Sequence, residues 1–107
     1  MIKVVYHKRY NRLSIKGHAN SGEAGHDLVC ASATILAYTL ALNVKNLVDA
    51  EQARDPVINL QEGDAVVCCN AIRRYKNVVS LIFSSICAGF SLLANKNPDY
   101  ISYEVRG

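Results

Sequence analysis

The sequence has few prolines and no long run of basic residues, and each shortage excludes a class of protein. Only two of 107 residues are proline, half are apolar and 20% are charged, which excludes a disordered chain. The net charge is only +3 and the lysines and arginines are scattered, so the sequence predicts no nucleic-acid-binding arm. A chain of this length is expected to form one compact domain spanning residues 1–107.

The four cysteines do not show the paired C-x-x-C spacing of a zinc site. Cys68 and Cys69 are adjacent in an apolar run, where neighbouring strand residues point to opposite faces and are poorly placed to bond each other. The N-terminal residues also lack the apolar core of a signal peptide. We therefore expect free thiols and a cytoplasmic location.

Alternation of apolar and polar residues predicts strands at 2–6, 12–18, 57–60, 65–71 and 100–106. Longer apolar runs predict helices at 27–53 and 73–95. The resulting order, ββαββαβ, indicates an α+β domain with two helices packed on an antiparallel or mixed β-sheet. In the second strand, His18 would lie on the face opposite Leu13 and Ile15.

Both predicted helices lack charge, over residues 28–44 and 77–95. A helix on one side of a sheet normally carries a charged outer face. Membrane spans would explain the absence, but the runs are near the short limit of ~17 residues and are rich in Ser, Thr and Asn. We expect no membrane partner and instead a homodimer that covers these faces. A stripe of small residues would allow close approach of another helix: Ser80, Ser84, Ala88 and Ser91.

Residues 17–32, GHANSGEAGHDLVCAS, bring two histidines close to a cysteine. Asp27 is a good N-cap residue, which would place Cys30 in the first turn of a helix. There the free backbone amides and the helix dipole favour a thiolate and could stabilise an oxyanion. His18, at the end of a strand, is the preferred general base, and His26 is the alternative.

Other interpretations of the same stretch stay open. Cys30 could simply pack in an apolar helix. His26 and Cys30 could bind a metal with His18 as the third ligand, but no fourth ligand is evident, so we expect neither metal nor cofactor. Gly22 and Gly25 could be ordinary turn residues, or could give the loop from 19 to 25 the flexibility of a lid over an extended peptide.

The stretch resembles the Prp ribosomal-processing cysteine proteases, also called the YsxB-like family. The resemblance lies in GHA, a short glycine-containing loop and then G-x-D-[IL]-V-C-A. It implies that His18 is the catalytic histidine and that Cys30 is the nucleophile. Position 34 is threonine, where the family often has serine. The supporting positions are Asp27, Gly17, Gly22, Gly25, His26 and Thr34.

The resemblance also implies a cytoplasmic, homodimeric endopeptidase. Such enzymes remove an N-terminal extension from a bacterial large-subunit ribosomal protein, the one conventionally numbered twenty-seven, after a hydrophobic segment that contains aromatic residues. The N-terminal segment of that protein would be the peptide substrate, and no direct nucleic-acid binding is expected. The alternative is a non-catalytic, ribosome- or RNA-associated binding module, which the mild positive charge would suit.

Overall fold

The computed structural model describes residues 1–18 and 24–107, with the backbone alone for residues 24–27. The predicted order ββαββαβ and the α+β class are confirmed. Two 3-10 turns, Lys8–Tyr10 and Arg73–Tyr75, follow β1 and β4. The elements are β1 (Ile2–His7), β2 (Arg12–Lys16), α1 (Ala24–Asp49), β3 (Ala53–Gln61), β4 (Asp64–Ala71), α2 (Lys76–Lys96) and β5 (Ile101–Arg106).

The strands form one mixed sheet in the order β3-β4-β2-β1-β5. β1 is antiparallel to β2 and parallel to β5, while β4 is antiparallel to both β2 and β3. Lys16, at the end of β2, pairs with Lys3 on one side and with Asp64 on the other. The turn between β3 and β4 therefore lies at the same end of the sheet as the start of β1 and the end of β2.

Both helices pack on one face of the sheet. Alternate strand residues such as Val4 and Leu13 are buried, as are Phe83 and Phe90 of α2. The ring of Phe83 stacks on that of Tyr6, with 6.2 Å between centroids. Because the intervening strand residues are polar or partly exposed, the opposite face of the sheet is open to solvent. The prediction that the adjacent residues Cys68 and Cys69 point to opposite faces of the sheet is confirmed, since Cys69 is buried and Cys68 is only half-buried.

Several predicted element boundaries were wrong. β3 starts at Ala53 rather than at 57, because the strand continues through an irregularity in its pairing between Arg54 and Val57. α1 starts at Ala24 rather than after Asp27, because alanine favours the helix and Gly25 costs only about 1 kcal/mol there. Asp27 therefore lies within the helix. α1 ends at Asp49 rather than at 53, because Glu51 adopts a left-handed conformation with φ 59°. Its amide and that of Gln52 donate back to the carbonyls of Val48 and Leu47, as in a Schellman motif.

A further boundary concerns β2, which ends at Lys16 because Gly17 turns the chain with φ 95°. His18 therefore follows the strand instead of occupying one of its faces. The helix 73–95 was close to the observed α2, except that its first residues form the 3-10 turn Arg73–Tyr75.

The two helices are long and apolar enough to cross a membrane by length and composition, over Leu28–Asp49 and Arg73–Lys96. Each nevertheless buries one side in the protein core, through residues such as Leu40 and Phe83. Their outward sides are apolar, as expected, and within the small-residue stripe Ser84 and Ala88 are exposed. The large exposed side chains there include Leu28, Ile35, Leu42, Leu81 and Leu92.

Candidate active site

A cavity of about 300 Å³ opens where β2 ends and β1 begins. Its lining comes from segments far apart in the sequence: the starts and ends of strands, the β3–β4 turn and one side of α1. Apolar residues form much of the lining, including Ile15, Ala33 and Ala37. The cavity therefore combines an apolar interior with polar side chains contributed by the turn and the helix.

Cys30 lies on α1 and is half-buried, with its side chain both packed against the core and lining the cavity. It is in the second turn of the helix, so the expectation of a first-turn cysteine was wrong. In a helix that begins at Ala24, the amides without intrahelical acceptors are those of residues 24–27. The amide of Cys30 itself is therefore used within the helix and is not available to an oxyanion.

His18 is exposed and lines the same cavity from the other side. Two glycines fix its position. Gly17 donates its backbone N–H to the carbonyl of Gly63 at 2.9 Å, which joins the end of β2 to the β3–β4 turn. A Cβ atom on Gly63 would lie 2.5 Å from Nε2 of His18. The imidazole therefore occupies space that any side chain at position 63 would fill.

The structure thus brings His18 and Cys30 to one cavity. Both are in the described part of the chain, and no hydrogen bond joins them there. Thr34 and Tyr38 line the cavity on successive turns after Cys30, because residues four apart share a helix face. Gly22 lies outside the described residues, as do residues 19–23 of the proposed lid, and so do the side chains of His26 and Asp27. Gly25 is within α1.

Sequence reasoning missed the contribution of the β3–β4 turn. Leu60, Gln61, Glu62 and Gly63 all line the cavity, and Glu62 supplies a carboxylate. The stretch QEGD, residues 61–64, separates the strands predicted at 57–60 and 65–71 and so indicates a turn, but local patterns do not say which distant segment a turn will contact. The signal available was Gly63 itself, whose φ of +78° favours glycine.

Two other cysteines are unsuited to nucleophilic chemistry. Burial raises the pKa of the Cys69 thiol to about 11, and burial likewise raises the pKa of Cys87 to about 11. Both thiols are therefore protonated near neutral pH, and neither lines the cavity. Among the residues that the structure describes, no group of three or more His, Cys, Asp or Glu could hold a metal ion.

Solved structures share this fold at low sequence identity. SMU.848 from Streptococcus mutans is 23% identical with a TM-score of 0.68, over 97% of this chain and 90% of that chain. The ribosomal processing protease Prp from Staphylococcus aureus, with a covalently linked product peptide, is 19% identical with a TM-score of 0.69. Its complex with a substrate peptide is 18% identical with a TM-score of 0.69. Each alignment with Prp covers 98% of this chain and 97% of the other.

The family model of cysteine protease Prp matches residues 1–102, almost the whole chain. The protein is therefore a cysteine protease by class. More particularly, it belongs to the Prp family. No curated protein sequence matches it.

Proposed function

We propose that this protein is an endopeptidase in which Cys30 is the nucleophile and His18 the general base and then the general acid. The observation that carries the proposal is the shared cavity, which receives one side chain from the end of β2 and one from α1. A thiol and an imidazole at the mouth of an apolar cavity are the groups that thiol-dependent acyl transfer requires. Cys30 is also the one cysteine that lines this cavity among the described residues.

The reaction balances with water as the only co-substrate. His18 accepts the proton of Cys30, and the sulfur attacks the scissile carbonyl carbon to form a tetrahedral adduct. As the adduct collapses, the C–N bond breaks and His18 gives its proton to the departing amine. His18 then takes a proton from water, whose oxygen attacks the thioester, and the carboxylate product leaves as the thiol is restored.

The proposed substrate is the N-terminal extension of the ribosomal protein numbered twenty-seven. The apolar lining, with Leu60 and Ala65 of the β3–β4 hairpin beside Ile15, suits a hydrophobic segment of an extended peptide. The Staphylococcus aureus Prp structures, described as an essential ribosomal processing protease with bound peptides, support the same kind of substrate. A cytoplasmic location follows from this choice of substrate.

The proposed active form is a homodimer in which a second copy covers the outward sides of the helices. Leu28, Ile35 and Leu42 on α1 and Leu81 and Leu92 on α2 are each about three-fifths exposed or more. Large apolar side chains concentrated in this way on one layer favour burial against another surface. Tyr38 belongs to the same layer and also lines the cavity, so the dimer contact would lie close to the site.

The assignment of roles is tested by two pairs of variants in a peptide-cleavage assay. Cys30→Ala is expected to abolish turnover. Cys68→Ala should retain turnover, because Cys68 is half-buried on the open face of the sheet, away from the cavity. His18→Ala should lower kcat/KM by about 10²–10⁴-fold, the usual contribution of a general acid–base group. His26→Ala should leave it nearly unchanged. Loss of activity in His26→Ala with retention in His18→Ala would reverse the choice of base.

A further inference from the structure

Several of the lysines and arginines that are scattered along the sequence are gathered by the fold at one end of the molecule. That end carries the β1–β2 turn, the end of β4 and the start of α2. The active-site cavity lies at the opposite end, about 20 Å away along six-residue β1. At the end that carries the β1–β2 turn, a second cleft of about 330 Å³ is lined by Arg9, Tyr10, Asn11, Asn70, Arg73 and Lys76.

The backbone around this cleft is held in place by hydrogen bonds. Asn11 adopts a left-handed conformation, and its carbonyl accepts a hydrogen bond from the amide of Cys69 at 3.3 Å. On the other side, the amide of Ile72 donates to the carbonyl of Gln52 at 3.0 Å. The two 3-10 turns that carry Arg9 and Arg73 are thereby joined to β4 and to the end of α1. The cations are thus presented by an ordered framework.

The cleft has an excess of positive charge. Three of its lining residues are cationic and none is acidic. Within the described chain, the one ion pair joins Arg106 to Glu104, so Arg9, Arg73 and Lys76 are all unpaired. The nearby carboxylate of Asp55 accepts a hydrogen bond from the side-chain amide of Asn70 at 3.1 Å. α2 begins at the cleft with no side-chain cap and no acidic residue in its first turn, so the positive end of its dipole also faces this region.

Aromatic rings accompany these cations. Tyr10 is 64% exposed and lines the cleft, and the guanidinium of Arg74 lies over the ring of Tyr75 at 5.8 Å from its centroid. Cations bind phosphates, and exposed rings give the bases of an unpaired strand a surface on which to stack. An acidic peptide would use the cations but not the rings.

We propose that this cleft binds a single-stranded segment of nucleic acid, with Arg9, Arg73 and Lys76 on the phosphates and Tyr10 stacked on a base. The proposal goes beyond peptide cleavage and is independent of it. The linear sequence did not suggest such a site, because Arg9 lies far from Arg73 and Lys76 along the chain. Only the pairing of β2 with β4 brings Arg9 to them.

The test is fluorescence anisotropy of a labelled single-stranded RNA oligonucleotide, titrated with the protein over a range of salt concentrations. The variant Arg9→Gln/Arg73→Gln/Lys76→Gln should bind about 10-fold or more weakly and lower the salt slope by about 2, since each phosphate contact contributes ~0.7. The matched control is Lys3→Gln/Lys16→Gln/Lys96→Gln, which removes the same charge at the opposite end of the sheet. It should change the affinity by less than about 3-fold. Equal weakening by both triple variants, or by neither, would overturn the proposal.

A second variant separates a nucleic acid from other polyanions. Tyr10→Ala should weaken RNA binding by about 5-fold or more, through lost stacking, while leaving the binding of inorganic polyphosphate unchanged. The same oligonucleotide made as DNA identifies which nucleic acid is preferred. If polyglutamate competes as well as RNA, or if Tyr10→Ala has no effect on RNA, the cleft is not a nucleic-acid site. Thermal unfolding of each variant checks that these exposed substitutions leave the fold intact.

Discussion

The imidazole of His18 rests against the backbone of Gly63, so closely that a Cβ atom there would lie 2.5 Å from Nε2. The contact joins a residue after β2 to the turn between β3 and β4. It is reinforced by the hydrogen bond from the Gly17 amide to the Gly63 carbonyl. The orientation of the proposed general base therefore depends on a glycine 45 positions further along the chain.

Gly63→Ala is expected to lower kcat/KM by about 10²-fold, because the added methyl group displaces the imidazole from its position in the cavity. The positive φ adds a stability cost of about 1 kcal/mol. The measurement is steady-state peptide cleavage combined with urea unfolding.

Asn11→Ala is the matched control for backbone strain. Asn11 also has a positive φ, of 47°, but lies at the other end of the sheet. Its replacement should cost a similar ~1 kcal/mol without affecting cleavage. Equal activity of Gly63→Ala and wild type would show that the contact does not hold His18 in a productive position.

Alkylation should distinguish the four cysteines. Burial raises the pKa of Cys69 and Cys87 to about 11, well above the ordinary value of a thiol, so the thiolate forms only as the pH rises towards 11. At pH 7 about one molecule in 10,000 carries the thiolate at either position. Brief treatment with iodoacetamide, followed by peptide mass mapping, should therefore label Cys30 well before these two.

Cys30→Ser provides the control for this labelling, since it should remove the earliest adduct and leave the slower ones. Cys68, half-buried on the open face of the sheet, is the internal comparison for partial exposure without the cavity. Labelling of Cys69 or Cys87 as fast as Cys30 would contradict the burial that the structure assigns to them.

The proposed dimer predicts that a charge on the outward side of α2 separates the subunits. Leu81 is 66% exposed, so Leu81→Glu should not disturb the monomer fold but should oppose burial of this face. Sedimentation velocity is expected to give a dimer for wild type and a monomer for Leu81→Glu.

Val105→Glu is the comparison, because Val105 is an exposed apolar residue of β5 and lies outside the helical layer. It should remain dimeric. A monomeric wild type at micromolar concentration would refute the dimer, and co-flotation of that monomer with lipid vesicles would indicate that a membrane covers the helices instead.

The end of α1 offers a prediction about stability. Glu51 occupies the left-handed position of the Schellman motif, where glycine is the most frequent residue. Glu51→Gly should stabilise the protein by about 0.5–1 kcal/mol by removing the strain of a Cβ atom in that conformation. Asp49→Gly, two residues earlier and still helical, should destabilise it by a similar amount. The measurement is the free energy of unfolding of each variant. A Glu51→Gly variant that is less stable than wild type would contradict the assigned turn.

Local sequence pattern predicted the elements well because alternation and helical periodicity are local properties. Leu13 and Ile15 alternate with polar neighbours, and this is enough to define a strand and its buried face. Pattern was less successful at element ends. There, single backbone conformations decide the result, such as the left-handed Glu51 and the turn at Gly17.

Long-range relationships were not available from local pattern. The stretch 17–32 identified His18 and Cys30, and the fold brings both to one cavity. Nothing local indicated that Gly63 would support the histidine, since their proximity depends on the pairing of β2 with β4. The gathering of Arg9 and Arg73 depends on the same pairing. Both are consequences of strand order rather than of any short motif.

The most direct test of the central claim is intact-mass spectrometry of the full-length ribosomal protein numbered twenty-seven, with its N-terminal extension, after incubation with this protein. We predict a single N-terminal truncation with wild type, none with Cys30→Ala, and the same truncation with Cys68→Ala. Truncation by Cys30→Ala would contradict the assigned nucleophile. An intact substrate with wild type, under conditions where Cys30 is alkylated rapidly, would contradict the proposed substrate.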